Sequence, residues 1–224
     1  MHEADSPRDH RQAPGGRILW PNFTSIGLLS RVKRNRWQEN PQGLEPLARQ
    51  AAHYALHMMR TTGSVPPTVI ADTDEGYIFC MPSELTDDAA KDRFAEVTRL
   101  FAIAQSARSI VMVVEAWARV PDANGHLDTE TPPSQAPDRK EVVVLMLEDH
   151  SRNATVMLPI LRDGTGTFTG FGDTGPMQFG ESVGRFSGLM PRNKPSVREA
   201  AQARVTLQAL GMHIVNRGFD PTMN

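Results

Sequence analysis

The chain has 224 residues, with 24 Lys and Arg against 26 Asp and Glu, a formal net charge of -2, one cysteine, 39% hydrophobic and 6% aromatic residues. This describes a globular protein of one or two domains with a real core, and a lone Cys80 excludes both a disulfide scaffold and an all-cysteine zinc site while suiting a reducing compartment. Apolar runs such as residues 110–114 and 142–147 fall far short of the roughly 20 residues that cross a bilayer, and the opening MHEADSPRDHRQAPGG lacks the apolar stretch of a secretory signal, so a cytoplasmic protein with no membrane partner is expected.

The near-neutral total hides a segregation of charge. Residues 1–40 hold seven Lys/Arg and four Asp/Glu, residues 41–184 eleven against twenty, and residues 185–224 six against two. An acidic middle between basic ends allows three arrangements: the ends fold back on the middle, they bind a polyanion, or they bind another acidic protein surface.

Residues 1–17 are polar, rich in Pro, Gly, Arg and Asp, and without periodicity, which reads as a disordered tail. The next stretch, ILWPNFTSIGLLSRVKRNRW, sets Trp20, Phe23, Ile26, Leu28 and Leu29 ahead of Arg31, Lys33, Arg34, Arg36 and Trp37. Such an arm docks either on its own domain or on a partner. Residues 44–60 place Leu44, Leu47, Ala48, Ala51, Ala55, Met58 and Met59 at helical spacing, with Gly63 to end the helix and Pro66 and Pro67 to prevent a restart. The runs TVIA and GYIFC, joined by DTDEG, predict a hairpin in which Gly76 supplies positive φ.

A second helix is predicted over residues 87–107, capped by Thr86, with Asp87 and Asp88 at its positive dipole end and Ala90, Phe94, Val97, Phe101 and Ala104 on one face. From Ser109 the period becomes that of strands. Residues 110–118, 141–148, 154–161 and 167–171 are β-favouring runs with short links, an antiparallel meander. Pro159 cannot donate to a ladder, so its strand should be an edge or carry a bulge. The first two runs are almost continuously apolar and belong in the centre, with the two preceding helices on one face and the arm or the C-terminal helix on the other. After a glycine-rich connector, Ser196 and Glu199 form a capping box for a last helix carrying Ala200, Ala203, Leu207 and Leu210, which Gly211 ends. The sum is an α+β protein, an antiparallel meander with two or three helices packed on it: tail and basic arm at 1–40, core domain at 41–172, connector and C-terminal helix at 173–224.

Several patterns carry possible chemistry. His53 and His57 lie one helical turn apart, but with Arg49, Gln50 and Arg60 on the side away from the apolar stripe, and Tyr54 stands where a zinc protease needs Glu. The letters GFGDTG at residues 170–175 match a dinucleotide fingerprint, yet Pro176 follows and no helix begins there. Asp72, Asp74 and Glu75 lack the later Glu of a calcium loop.

Glu115 stands out, because its strand neighbours are apolar on both faces and a buried carboxylate must be paired, hydrogen-bonded or protonated. Beyond it the long polar loop 119–140 runs straight into the central strand, so Ser134, Asp138, Arg139 and Glu141 are held at one end of the sheet. Arg139 is the expected partner of Glu115 or Glu141, since a guanidinium fork satisfies a carboxylate twice. Pro121-Asp122 and the later Asp138-Arg139-Lys140 also spell the PD…(D/E)xK pattern of metal-dependent nucleases, in which Glu115, Asp122 and Asp138 would hold Mg²⁺ and Lys140 would help activate water. Against it, the triplet precedes its strand and has Arg139 in the middle. The bases Arg31, Lys33, Arg34 and Arg36 beside Trp37 could instead contact phosphates and stack a base.

The run VEAWAR at residues 114–119, followed by PSQAPDRKEVVV at residues 133–144, resembles a group of uncharacterised bacterial and phage (mobile-element) proteins with an E-A-W strand and a P-S-x-x-P-D-R-x-E-V segment. The resemblance covers about the middle half of the chain, implies no catalytic role, and singles out Glu115, Trp117, Ser134, Asp138, Arg139 and Glu141. The expectation is a non-catalytic accessory or binding protein without a cofactor, engaging a protein partner, a second copy or a polyanion through its basic ends. A metal-dependent nuclease or hydrolase is the alternative, and only that alternative calls for Mg²⁺.

Overall fold

In the computed structural model the described residues are 28–32, 43–82, 85–119, 131–180, 184–211 and 213–214. Helix α1 spans Leu44–Thr62 and buries Leu44, Leu47, Ala51, Tyr54, Ala55 and Met59 along one stripe. Gly63 ends it, its N–H donating to Met59 O at 3.1 Å. Tyr54 ties the helix to the sheet: its ring tilts against Phe79 at 5.4 Å and its hydroxyl shares a 2.8 Å hydrogen bond with Thr68 Oγ1. The hairpin follows as β2 (Thr68–Thr73) and β3 (Gly76–Met81), with Gly76 at φ 117° in the turn. Arg108 braces that turn by donating to Asp72 at 2.9 Å and Asp74 at 3.0 Å.

Helix α2 spans Asp88–Ala104. Its cap is Asp87 rather than Thr86, for the Asp87 carboxylate accepts the Ala90 N–H at 2.6 Å and also meets the helix dipole with a charge, which a threonine cannot do. The meander comes next: β4 (Ser109–Ala118), β5 (Lys140–Asp149), β6 (Asn153–Arg162) and β7 (Phe168–Phe171), then a two-residue β8 (Gln178–Phe179). Helix α3, Val197–Ala209, starts with the Ser196/Glu199 capping box in place.

The strands form an α+β fold around one sheet in the order β7-β6-β5-β4-β2-β3, and β8 pairs with β6 beside β7. Strand β1 (Leu28–Val32), the part of the arm that is described, pairs antiparallel with β3 and parallel with a short β9 (His213–Ile214) at the far edge. Pairing among the other described strands is antiparallel, and β4 and β5 are central, in register from Ser109 opposite Asp149 to Ala118 opposite Lys140. Pro159 O accepts from Gly172 N at 2.8 Å on the side away from β5. A residue's N–H and C=O leave a strand on the same side, so the missing proline donor costs the β5–β6 ladder nothing. The β6–β7 register shifts two residues later, between Leu161 and Arg162.

Two crossovers fix the layers. β1 and β2 are parallel with β3 between them, and β3 and β4 are parallel with β2 between them. Both connections move the same way across the sheet but start from oppositely directed strands, so a shared right hand puts α1 and α2 on opposite faces. The core bears this out. Along β4, Val111 and Val113 pack with the α1 residues, whereas Ile110 and Met112 pack with Phe94, Phe101 and the α3 residues Ala203 and Leu207. This corrects the expectation that the first two helices share a face: α1 covers one, and α2 with α3 the other. Side chains such as Leu145, Val143 and Ile70, at 0% exposure, each contribute about 1.5–3 kcal/mol of burial. No helix among the described residues is long and apolar enough to cross a membrane.

Candidate functional site

The residues singled out by sequence gather at one end of the sheet. In β4, Glu115 and Trp117 follow Val111 and Val113 by twos and so project from the α1 face, and Glu141 lies opposite Trp117 on β5. Glu115 is half-buried and accepts a hydrogen bond from the Val65 N–H just beyond α1. Burial pushes its carboxyl above the ordinary range; the Val65 N–H pulls the other way, the Glu141 charge adds to the rise, and Arg162 opposes it.

Glu141 pairs with Arg162 of β6, not with Arg139. Both guanidinium donors engage, Nε to Oε2 at 2.7 Å and Nη2 to Oε1 at 2.8 Å. Arg139 instead lies over the Trp117 ring, 4.5 Å from its centroid, and donates to Ser134 O. The reason is local: residues 133–135 form a 3₁₀ turn a few residues ahead of β5, which sets the Ser134 carbonyl within reach of the Arg139 fork and leaves its flat face for the indole. Trp117 keeps 43% of its surface exposed even so.

Of the nuclease pattern, the described residues Glu115 and Lys140 do not come together. Lys140 lies three positions from Val143, the residue opposite Glu115, so the two side chains leave opposite faces of the sheet. Asp138 is engaged by Arg119, with Nε at 3.0 Å from Oδ1 and Nη2 at 3.2 Å from Oδ2. Asp122, Lys33, Arg34, Arg36 and Trp37 lie outside the described residues, and Arg31 falls within β1. Among the described residues no group of three or more His, Cys, Asp or Glu could hold a metal ion.

Sequence reasoning passed over a second constellation on the α2 face. Glu148, 4% exposed, accepts the N–H groups of Gly188, Leu189 and Met190 at 2.8, 2.7 and 2.9 Å. Gly188 at φ 64° turns the chain so that successive N–H groups converge on the carboxylate, a nest that satisfies a buried charge without a cation. Two residues on, just past the end of β5, His150 Nδ1 lies 2.7 Å from Pro191 O. A carbonyl only accepts, so Nδ1 carries the proton. These bonds fasten residues 188–191 to the end of β5 and leave Arg192 between two open clefts, with Lys194 on the first of them. One, of about 430 Å³, has Leu100, Ile103 and Ala203 along its floor. The other, of about 1080 Å³, is bordered by Arg152 and Phe179.

The charges are sorted in a way the sequence left open. From the basic C-terminal segment, Arg185 folds back on α2, reaching Asp88 at 2.9 Å and Asp92 at 2.6 Å. Arg192, Lys194 and Arg198 are exposed and have no carboxylate partner among the described residues. No protein-family model, curated protein or solved structure matches the chain.

Proposed function

We propose that the chain is a non-catalytic binding or accessory protein of the cytoplasm that engages an anionic partner through its basic segments, the C-terminal one foremost. The observation that carries this reading is the unequal fate of the charges. Six acids of the middle are answered within the domain: Asp72 and Asp74 by Arg108, Asp138 by Arg119, Glu141 by Arg162, Asp149 by Arg152 and Glu148 by backbone N–H groups. Arg192, Lys194 and Arg198 are left for something outside it. Exposed cations on a fixed backbone attract an anionic surface and speed its encounter. A bacterial or mobile-element setting, suggested by the E-A-W resemblance, suits such an accessory role.

The test is a pull-down from host extract with the parent chain and with the triple variant Arg192→Glu, Lys194→Glu, Arg198→Glu, each with and without nuclease treatment. The reading requires a partner retained by the parent and lost by the variant. Equal retention by both chains would defeat it.

A further inference from the structure

We infer that the cleft between α2, α3 and residues 191–195 seats an acidic peptide segment anchored by an apolar side chain. The inference rests on the anion-binding reading above and adds the identity of the partner and the place where it sits. The cleft measures about 430 Å³, large enough for one or two bulky side chains. Its floor is aliphatic: Leu100 and Ile103 are half-buried on α2, and Ala203 is buried on α3. The rim carries two cations, Arg192 and Lys194, against one acid, Glu199, whose carboxylate is taken up by Ser196 in the capping box. A ligand complementary to both carries carboxylates around an aliphatic or aromatic anchor, and an anchor set in a desolvated pocket supplies most of the affinity at such a site.

The wall is fixed before anything binds. Glu148 holds residues 188–190 and His150 holds Pro191, while Pro191 and Pro195 restrict the backbone between them. A prefixed wall spares the ordering cost of binding. The capping box also occupies the start of α3, where Glu199 accepts from Ser196 N at 2.8 Å, so the N–H groups there are not the attraction.

A single-stranded nucleic acid fits less well. Such ligands stack their bases on aromatic rings, and among the described residues no ring lines this cleft. The neighbouring cleft offers Phe179, and Arg152 lies over its face at 5.9 Å.

Fluorescence anisotropy on the full chain tests the idea with three labelled probes: a short peptide of Asp and Glu around a central Leu-Phe pair, the same peptide with Ser-Ser at the centre, and an oligothymidylate of equal charge. The apolar-centred peptide should bind, and the serine version at least about ten-fold more weakly, the cost of losing an anchor. Two variants read the cleft in opposite ways, Ile103→Ser removing floor and Thr206→Trp filling the space. Both should weaken the apolar-centred peptide while leaving the serine peptide unchanged. If both peptides bind equally and neither variant matters, the anchored-peptide inference falls while anion binding stands. If none of the probes binds, both readings fall. Tighter binding of the oligothymidylate, indifferent to Thr206→Trp, overturns the inference in favour of nucleic acid.

Discussion

Glu141 and Arg162 close a two-bonded ion pair across β5 and β6, 2.7 and 2.8 Å long, within electrostatic reach of the half-buried Glu115 carboxylate. Arg162 is therefore the cation that lets two acids share one face of the sheet. Its side chain is 29% exposed and that of Glu141 26%, so the pair is worth more than a surface bridge and less than a buried one.

Arg162→Ala should lower unfolding stability by about 1–2 kcal/mol, a charged hydrogen-bonded pair discounted for its solvent contact. Part of the loss is repulsion between the two acids, so adding Glu141→Gln should recover some of it. Urea denaturation of the two single variants and the double variant measures the coupling; strict additivity would mean that the pair does not act as described.

Glu115 has a pH signature. Its folded carboxyl titrates above the reference value of 4.5, because burial outweighs the Val65 hydrogen bond. A raised carboxyl contributes stability that is complete below the unfolded value and is lost as pH rises through the folded one. Glu115→Gln keeps an oxygen for the Val65 N–H and removes the charge. The variant should be more stable than the parent at about pH 7 and lose that advantage at about pH 4. Asp149 and Glu199, whose carboxyls titrate low, affect parent and variant alike and cancel in the difference. An advantage independent of pH would contradict the assignment.

Glu148→Ala strips the acceptor from three backbone N–H groups at once. The expected cost is about 2–4 kcal/mol, in the range for breaking a buried hydrogen-bond network. Hydrogen exchange should accelerate first at Gly188, Leu189 and Met190, the donors to the carboxylate. Unaltered protection there would show that the segment is held by other contacts.

Much of this fold is written in short-range pattern. The α1 stripe, the hairpin closed by Gly76, the four meander strands and the Ser196 capping box are each specified by residues close in sequence, and each is found within two residues or so of its predicted bounds. The layering is different, because which face a helix covers depends on the direction of a strand fixed many residues away. The candidate site divides in the same way. Glu115 and Trp117 announce themselves as polar or bulky residues in an apolar strand, and their shared face follows from period two. Arg162 was hidden because it reaches Glu141 from a diagonal cross-strand position that no local pattern marks. Glu148 sits at the end of its apolar run, where a charge normally meets water. Only a connector returning 40 residues later buries it.

The central claim is that uncommitted cations at Arg192, Lys194 and Arg198 make an anion-binding surface on a protein whose sequence pI is 6.4. Heparin chromatography at about pH 7.5 tests it most directly, because a chain of net negative charge is retained there only through a local basic surface. The parent should be retained at low salt and released by about 0.1–0.3 M NaCl as screening sets in. The Arg192→Glu, Lys194→Glu, Arg198→Glu variant, with an unchanged circular dichroism spectrum, should be released at distinctly lower salt. Co-elution of variant and parent, or passage of the parent itself at low salt, would contradict the account.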